Sequence, residues 1–298
     1  MKSIIIFGGS GYVGKNLIRS FVKKGYKIIV PYQRQIDEAN LRLFGSVGQI
    51  IPFQFTSLKN PKLLSIINNA DICINLKTSW DSKEENLKKS IFTFNAELID
   101  IVKKSSPVKK FIFFSGLGTE KRSTLRNEII SKTEELIIQE LKNSIIIRPS
   151  VILGNGDQFL SNLLPIFKMS FFIPLFGDGS KKFQPVLIDD IVDFVLNLID
   201  LPNLNERMFE LGGPDVFTYR EFYTLITELM NKKRVLVPVP MPIIKPIVGI
   251  GEKTPFFPLN LEQLSLFGSD NILNNDKKGF NYVKMLPGKV ISAVKKSI

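Results

Sequence analysis

A glycine-rich turn between a short apolar run and a helical pattern constrains the fold of this chain more than any other stretch. The segment is IIIFGGSGYVGKNLI. Its first glycine permits a tight turn, its middle glycines let the backbone approach a pyrophosphate, and the last lets the helix pack closely on the strand. The N-terminus of such a helix offers amide donors and a positive dipole to an anion. The segment therefore predicts a dinucleotide-binding turn, with a purely structural turn as the alternative. The predicted contacts come from Gly8, Gly11, Tyr12, Val13 and Gly14, and Gly9 completes a second, overlapping Gly-x-Gly-x-x-Gly pattern.

The first two-thirds of the chain alternates short β-branched runs with longer helical patterns. This alternation predicts an α/β fold, a Rossmann-type doubly wound parallel sheet with a smaller C-terminal cap domain. Ligands of such sheets bind at the carboxyl ends of the strands. The predicted strands are 3–7, 27–31, 50–55, 72–76, 110–114 and 144–148, and the predicted helices are 11–24, 58–68, 83–105 and 121–141.

After Pro149 the alternation loosens, because proline and glycine punctuate FFIPLFGDGSKKFQPV and PVPMPIIKPIVGIGEKTPFFP. A helical pattern at 189–201 is expected to return to the sheet. We therefore predict a dinucleotide-binding domain at 1–155, to which 183–205 returns. Residues 156–182 and 206–298 are predicted to form the cap, which binds partners.

The scarcity of two residue types excludes several kinds of chemistry. The chain has no histidine, and Cys73 is its only cysteine. A Ser-His-Asp triad, a His-based metal site and an internal disulfide are therefore impossible, and we expect no zinc site. No apolar run reaches about 18 residues, so no transmembrane helix is expected. The chain runs directly from Met1 into a strand pattern, which predicts a cytoplasmic protein or one peripheral on the cytoplasmic face of the inner membrane.

The net charge is +12, from 40 basic and 28 acidic residues. Such an excess indicates anionic partners, such as nucleotide phosphates, a membrane surface or an acidic subunit. The lysines are scattered in pairs along the chain, and no basic block is interleaved with aromatic residues. Nucleic acid is therefore not an expected partner.

The end of the second predicted strand bears on the choice of dinucleotide. An acidic residue at this place binds the ribose 2′-hydroxyl of NAD. Here the strand ends in Tyr32, Gln33 and Arg34, with no acid before Asp37. Arg34 can pair with a 2′-phosphate, so the sequence favours NADP(H) over NAD(H). A solvated surface arginine is the alternative.

Several further residues are predicted to contact the cofactor from their positions at strand ends. Asp71 opens the fourth strand, where adenine is expected, although a turn residue is equally compatible. Leu76 ends that strand and Lys77 follows it, where the middle of the dinucleotide crosses the sheet. Ser115 ends the fifth strand, and Arg148 and Pro149 end the sixth. For each of these residues, the alternative is an ordinary loop residue that does not contact the cofactor.

The glycine turn together with NADICINL, FIFFSGLG and IIIRPSVILGNGDQFL resembles the extended and atypical short-chain dehydrogenases. In that superfamily a tyrosine in Tyr-x-x-x-Lys exchanges the substrate proton, and the lysine holds the nicotinamide ribose. Lys132 resembles the family lysine, which places Glu128 at the tyrosine position. Alignment on LRN instead places Thr124 at the tyrosine position and Glu128 at the lysine position. Neither alignment supplies a phenol, and a carboxylate with an ordinary pKa of about 4.3 is a poor proton donor at neutral pH.

One branch of this superfamily resembles nearly the whole chain, namely the NAD(P)H-binding accessory subunit of respiratory complex I and its alphaproteobacterial relatives. The stretches that carry this resemblance include VPYQRQIDEANLRLFGSVGQIIPFQF, PLFGDGSKKFQPVLIDDIVDFV and FELGGPDVFTYREF. The resemblance implies a tightly bound NADPH that serves stability and assembly and is not oxidised in turnover, with membrane-bound respiratory subunits as partners and no catalytic residue.

Two other interpretations stay open. Some bacterial relatives are linked to ubiquinone biosynthesis, which implies a working reductase, dehydrogenase or epimerase with Glu128, Thr124 or Tyr219 as proton donor. A soluble module that senses the redox state of NADP(H) is the third interpretation.

A stretch near the C-terminus is predicted to contact a membrane partner or the lipid interface. Residues 240–258 are apolar and proline-rich, and Lys245 and Lys253 would lie near lipid head groups. The final GKVISAVKKSI is a short basic amphipathic stretch with similar properties. The alternatives are that residues 240–258 form part of the core of the cap, and that the final stretch is a helix face exposed to solvent.

Overall fold

The computed structural model describes residues 2–105, 108–252, 254, 259–274 and 276–298. The strands are β1 Ser3–Phe7, β2 Lys27–Tyr32, β3 Ile50–Gln54, β4 Ile72–Asn75, β5 Lys110–Phe114, β6 Ser144–Pro149, β7 Ile152–Leu153, β8 Phe172–Phe176, β9 Lys182–Phe183, β10 Val186–Leu187, β11 Met208–Leu211, β12 Phe217–Thr218 and β13 Val235–Val239. The helices are α1 Tyr12–Lys23, α2 Glu38–Arg42, α3 Pro61–Asn68, α4 Glu84–Leu87, α5 Phe94–Lys104, α6 Leu125–Glu140, α7 Gln158–Met169, α8 Ile188–Asp200, α9 Tyr219–Leu229, α10 Met241–Gly251, α11 Leu261–Ser265 and α12 Ile291–Ser297.

A seven-stranded sheet has the order β11-β6-β5-β4-β1-β2-β3. The strands from β1 to β6 pair in parallel, for example Ile4 with Ile28 and Ile72. The strand order reverses between β1 and β4, and this reversal makes the crevice in which doubly wound sheets bind ligands. The prediction of a Rossmann-type parallel sheet is confirmed.

Both faces of this sheet are buried. On one face, Ile5, Phe7 and Cys73 pack in a core cluster with side chains of α3, α5 and α6. The alternating residues Ile4 and Ile6 are also fully buried. Since successive side chains of a strand point to opposite faces, the sheet is covered on both sides, as the continuous apolar runs of its strands indicate.

The helix predicted at 83–105 is interrupted in the structure. α4 passes into a π-helical turn at Lys88–Thr93 before α5 begins. The buried Asn95 donates its side-chain amide to the carbonyl oxygen of Ile91 at 2.7 Å, so one main-chain carbonyl of the turn is paired by a side chain. A π-helical turn inserts one extra residue into the helical period, which an apolar pattern does not reveal.

The chain forms two compact units. The first comprises residues 1–79, 84–148 and 192–209, and the second comprises 80–83, 149–191 and 210–298. The second unit has its own core cluster, built around Phe167, Phe183, Phe222 and Tyr223. None of the helices within the described ranges is long and apolar enough to cross a bilayer.

Candidate functional site

The glycine turn joins β1 to α1 as predicted. The amide of Gly11 donates to the carbonyl oxygen of Gly8 at 3.0 Å, and α1 begins at the next residue, Tyr12. Gly8 has a φ of 76°, a conformation that side chains with a Cβ rarely adopt. The turn therefore directs the N-terminus of α1 to the carboxyl edge of the sheet.

Positions 11 and 14 of this turn are glycine for different structural reasons. A Cβ added to Gly14 would lie 2.5 Å from the Cα and carbonyl oxygen of Gly9, so helix and turn approach too closely for a side chain. A Cβ added to Gly11 would meet only the carbonyl oxygen of Gly8, at 3.3 Å. The close approach of helix and turn thus strongly favours glycine at position 14, whereas at position 11 the missing side chain leaves open space for a ligand.

The loops that follow β1 and β4 lie against each other at the point where the strand order reverses. A Cβ added to Gly8 would lie 3.0 Å from the carbonyl carbon of Leu76 and 3.1 Å from the amide nitrogen of Lys77. The side-chain oxygen of the buried Asn75 accepts from the amide of Lys77 at 2.9 Å and fixes the start of the second loop. Leu76 and Lys77 therefore lie beside the glycine turn.

Lys77 and Arg34 place two cations at this edge. The Nζ of Lys77 donates to the Oε1 of Gln33 at 2.7 Å, and lies 3.8 Å from the ring centre of Phe94. Burial, with the nearby charge of Arg34, lowers the pKa of Lys77 to about 8, and Glu97 opposes this shift only in part. Arg34 is exposed. The ends of β2 and β4 thus carry positive charges that repel each other and favour an anion.

Asp71 does not lie with these residues, so its assignment to adenine is wrong. Its carboxylate accepts from the amide of Ser3 at 2.8 Å, and its own amide donates to the Ser3 carbonyl oxygen. Ser3 and Asp71 stand where β1 and β4 begin. In parallel strands both positions are at the amino edge of the sheet, opposite the glycine turn. Asp71 is a turn residue that joins two strand ends.

Arg148 ends β6 as predicted, but its guanidinium group is engaged inside the protein. It forms a bidentate pair with the buried carboxylate of Glu134 on α6, at 2.9 and 2.6 Å, and donates to Glu120 at 3.1 Å. This arrangement contradicts a role of its side chain in cofactor binding. The guanidinium joins α6 to the sheet, and its charge is already balanced by the two carboxylates. The next residue, Pro149, is buried.

Ser115 stands at the carboxyl end of β5, where the sequence places it. Its amide donates to the carbonyl oxygen of Ile147, and its hydroxyl lies 3.3 Å from that of Thr119. Thr119 in turn donates to the Gly116 carbonyl oxygen at 2.7 Å. These contacts make an ordered loop at the same edge of the sheet as the glycine turn.

Glu128 and Lys132, at the family motif position, bind each other on the surface of α6. The Nζ of Lys132 donates to Glu128 at 2.6 Å, and both side chains are about half exposed. The hydrogen bond and charge of Lys132, reinforced by Arg122 and Lys88, lower the pKa of Glu128. A carboxyl group with a lowered pKa is ionised at neutral pH, so it has no proton to donate.

The two other candidate proton donors also have structural roles. Thr124 caps α6, and its hydroxyl oxygen accepts from the amide of Asn127 at 3.2 Å. Tyr219 is buried in the core of the second unit, where it stacks on Phe183 with 4.6 Å between ring centres. Burial raises the pKa of its hydroxyl above the ordinary value, which disfavours proton transfer.

Arg126 is a residue at this edge that the sequence reasoning missed. It is buried near the start of α6, and it donates to the carbonyl oxygen of Ser79 and to the hydroxyl of Thr78, both at 2.8 Å. It thereby ties α6 to the loop that follows β4. The sequence could have indicated this role, because Arg126 lies one helical turn before Ile130 on the apolar face of α6. A charged residue on a buried face needs a hydrogen-bond or ion-pair partner.

No group of three or more histidine, cysteine, aspartate or glutamate side chains among the described residues is arranged to hold a metal ion.

Comparisons with known proteins agree with this geometry. The profile of the NAD dependent epimerase/dehydratase family matches residues 4–126. The chain is 27% identical over 299 residues to the mitochondrial NADH dehydrogenase [ubiquinone] 1 alpha subcomplex subunit 9 of Arabidopsis thaliana, covering 96% of this chain and 74% of that protein. The protein of the same name from Dictyostelium discoideum is 27% identical, over 75% of this chain and 62% of its own length.

The fold is also that of solved enzymes. The crystal structure of dTDP-glucose 4,6-dehydratase from Bacillus anthracis, in complex with NAD, matches with a TM-score of 0.74 and 14% identity, over 100% of this chain and 95% of that one. The sheet order and the glycine turn agree with this family match. Residues 4–126 of the chain are similar to the NAD dependent epimerase/dehydratase family, the extended short-chain dehydrogenases.

Proposed function

We propose that this protein is an NADP(H)-binding accessory subunit of a membrane-bound respiratory NADH:ubiquinone oxidoreductase, and that it holds the nucleotide without oxidising it. One observation carries the proposal. The dinucleotide turn is complete, whereas the family's tyrosine position holds either Glu128, ionised and paired with Lys132, or Thr124, a helix cap. A site that binds but lacks a proton donor fits a structural nucleotide. The similarity to subunits named for the NADH dehydrogenase complex supports the choice of partner.

The nucleotide is proposed to lie across the reversal of strand order. The open space at Gly11 and the N-terminus of α1, with Gly8, Tyr12, Val13 and Gly14, receive the pyrophosphate. Leu76 lies next to the turn and lines the middle of the dinucleotide. Ser115 and Pro149 end neighbouring strands and line the nicotinamide half. Lys132 contacts the nicotinamide half only after its ion pair with Glu128 breaks, so it is the weakest of the proposed cofactor-binding residues.

The preference for NADP(H) is proposed from Arg34 and Lys77. Both are cations at the ends of adjacent loops, and the pKa of Lys77 is lowered to about 8 by burial and by Arg34. A 2′-phosphate placed between them would relieve this repulsion, whereas the ribose hydroxyl of NAD(H) would not. NAD(H) remains the alternative.

An Arg34→Ala variant tests this preference. Since a hydrogen bond to a charged group contributes about 1.5–3 kcal/mol, NADPH affinity is expected to fall about 10- to 100-fold, with NADH affinity little changed. Isothermal titration with both nucleotides provides the measurement. Arg42→Ala is the matched control, because Arg42 is an exposed arginine of the neighbouring α2 that pairs with Glu38. Equal losses for NADPH and NADH would contradict the 2′-phosphate assignment.

The proposed partners are subunits of the respiratory complex at the cytoplasmic face of the inner membrane. The first unit is proposed as the nucleotide-binding domain, and the second as the partner-binding domain. A tagged chain is expected to co-purify with the quinone-reducing part of the complex from detergent-solubilised membranes.

A second candidate is a short-chain dehydrogenase-type reductase or epimerase, active in ubiquinone biosynthesis. The match to an epimerase/dehydratase family and the fold of a sugar-nucleotide dehydratase favour it. Glu128→Gln separates the two candidates. It removes the carboxylate at the motif position, so loss of turnover would support an enzyme, whereas an unchanged respiratory rate is expected of an accessory subunit. Glu135→Gln, an exposed change on the same helix, is the control.

A further inference from the structure

An exposed apolar surface lies on the second unit around α10 and β13. α10 is apolar on both sides. Val248 is buried, and Met241 and Ile244 pack against the core of the unit. Ile243, Ile247 and Ile250 are 57%, 51% and 72% exposed, and their spacing places them on one stripe of the helix. A helix that is apolar on both its inward and outward sides is suited to an apolar surrounding rather than to water.

The strand that precedes this helix continues the exposed apolar residues. β13 ends at Val239, and α10 begins at Met241. β13 pairs in parallel with β8, so that Val235 is the direct neighbour of Phe172. The α10–β13 surface, as we define it, comprises Met169, Phe171, Phe172, Val235, Val237, Ile243, Ile247 and Ile250, all large apolar side chains more than a third exposed.

The charges along the segments that carry this surface are mostly basic. Residues 166–177 and 230–251 contain five basic residues, and the acidic residues Asp178 and Glu252 directly follow these two segments. Lys168 lies next to Met169, Lys232 and Lys233 stand just before β13, and Lys245 lies on α10 among the exposed isoleucines. Long lysine side chains place their ammonium groups beside an apolar layer while their carbons contact it. An apolar face with a predominantly basic rim complements an anionic lipid surface, with isoleucine and phenylalanine at the acyl boundary and lysine at the phosphates.

We propose that the α10–β13 surface docks the protein on the anionic surface of a lipid bilayer. The contact is peripheral, because the apolar residues form one stripe and one strand edge. Membrane docking through this surface does not require a bound nucleotide or the respiratory assignment, since either candidate function brings the chain to a membrane. Lys253, which the sequence also suggested for head-group contact, lies outside the described residues.

Flotation of the purified full-length protein with vesicles tests this docking. Wild type is expected to float with vesicles of phosphatidylcholine containing one quarter phosphatidylglycerol, and much less with phosphatidylcholine alone. Since each basic residue near an anionic surface changes the partition coefficient about fivefold, Lys232→Gln/Lys233→Gln is expected to weaken binding about 25-fold. Lys59→Gln/Lys62→Gln removes the same charge from exposed lysines of the first unit and serves as the control.

The apolar contact is tested separately by Ile243→Asn/Ile250→Asn, for which at least a tenfold loss of vesicle binding is expected. Leu286→Asn is the control, because Leu286 is 94% exposed and lies in the same unit outside the surface. Thermal unfolding and NADPH titration of each variant are expected to match wild type, which separates this test from the nucleotide proposal. Wild type that does not float with anionic vesicles, or control variants that lose binding equally, would overturn the proposal. Loss of co-purification with a membrane protein without any vesicle binding would assign the surface to a protein partner instead.

Discussion

Substitution of two glycines of the nucleotide turn is predicted to separate binding from folding. A Cβ at position 14 would lie 2.5 Å from backbone atoms of Gly9, which cannot move aside as a side chain can. Overpacking of this kind costs about 1–3 kcal/mol, and the helix propensity of alanine recovers up to about 1 kcal/mol. Gly14→Ala is therefore expected to reduce the free energy of unfolding by about 1–2 kcal/mol and to lower the Tm by several degrees.

Gly11→Ala is predicted to weaken NADPH binding much more than it lowers stability. Gly11 is the N-cap of α1 with a φ of −75°, and its Cβ would meet only the carbonyl oxygen of Gly8, at 3.3 Å. Since alanine is a poorer N-cap than glycine, stability is expected to fall by no more than about 1 kcal/mol. The added methyl group would instead occupy the space assigned to the pyrophosphate. Loss of one or two charge-assisted hydrogen bonds weakens NADPH binding about 10- to 1000-fold.

The assay for both variants is thermal unfolding without nucleotide, followed by NADPH titration of the folded protein. Unchanged NADPH affinity in Gly11→Ala would contradict the placement of the pyrophosphate at this turn. A Gly14→Ala variant as stable as wild type would show that α1 does not need its close approach to Gly9.

Three further predictions follow from the buried charges. Glu134→Gln removes the buried carboxylate charge that pairs with the guanidinium of Arg148 and is expected to cost about 3 kcal/mol by chemical denaturation, whereas exposed Glu135→Gln costs under about 1 kcal/mol; equal effects would contradict the buried pair. Because the pKa of Lys77 is lowered to about 8, its charge is present below that pH and lost above it, so NADPH affinity should weaken as the pH rises through about 8; a pH-independent affinity would exclude Lys77 from the phosphate site. Arg126→Met removes the hydrogen bonds that the guanidinium donates to two loop oxygens and is expected to cost about 1–3 kcal/mol of unfolding free energy; an unchanged Tm would show that these hydrogen bonds are dispensable.

The sheet and its glycine turn were predictable because they depend on local patterns. Continuous apolar runs are typical of parallel strands that are buried on both faces, and the glycine spacing meets steric demands within a few residues. The start of α6 was less predictable. Its cap is Thr124, three residues after the predicted start, because Arg122 adopts a left-handed conformation with a φ of 47° just before it.

The roles of charged residues at strand ends depended on partners distant in sequence. Arg148 could be placed at the end of β6, but its pair with Glu134, which removes it from the cofactor site, comes from the fold. Asp71 could have been excluded, since it precedes its strand and parallel strands share one amino edge. Lys77 was placed correctly at the edge, but its burial and its neighbour Arg34 became apparent only when β2 and β4 were ordered around β1.

Whether the chain holds NADP(H) within a respiratory complex without reacting can be determined from the nucleotide that it carries in native membranes. The tagged protein is purified from detergent-solubilised native membranes after NADH:quinone turnover, and its bound nucleotide is quantified with its redox state and its accompanying subunits. We expect about one NADPH per chain, still reduced, in a fraction that contains the quinone-reducing subunits. Recovery of the chain alone, or with nucleotide oxidised in step with quinone reduction, would contradict it.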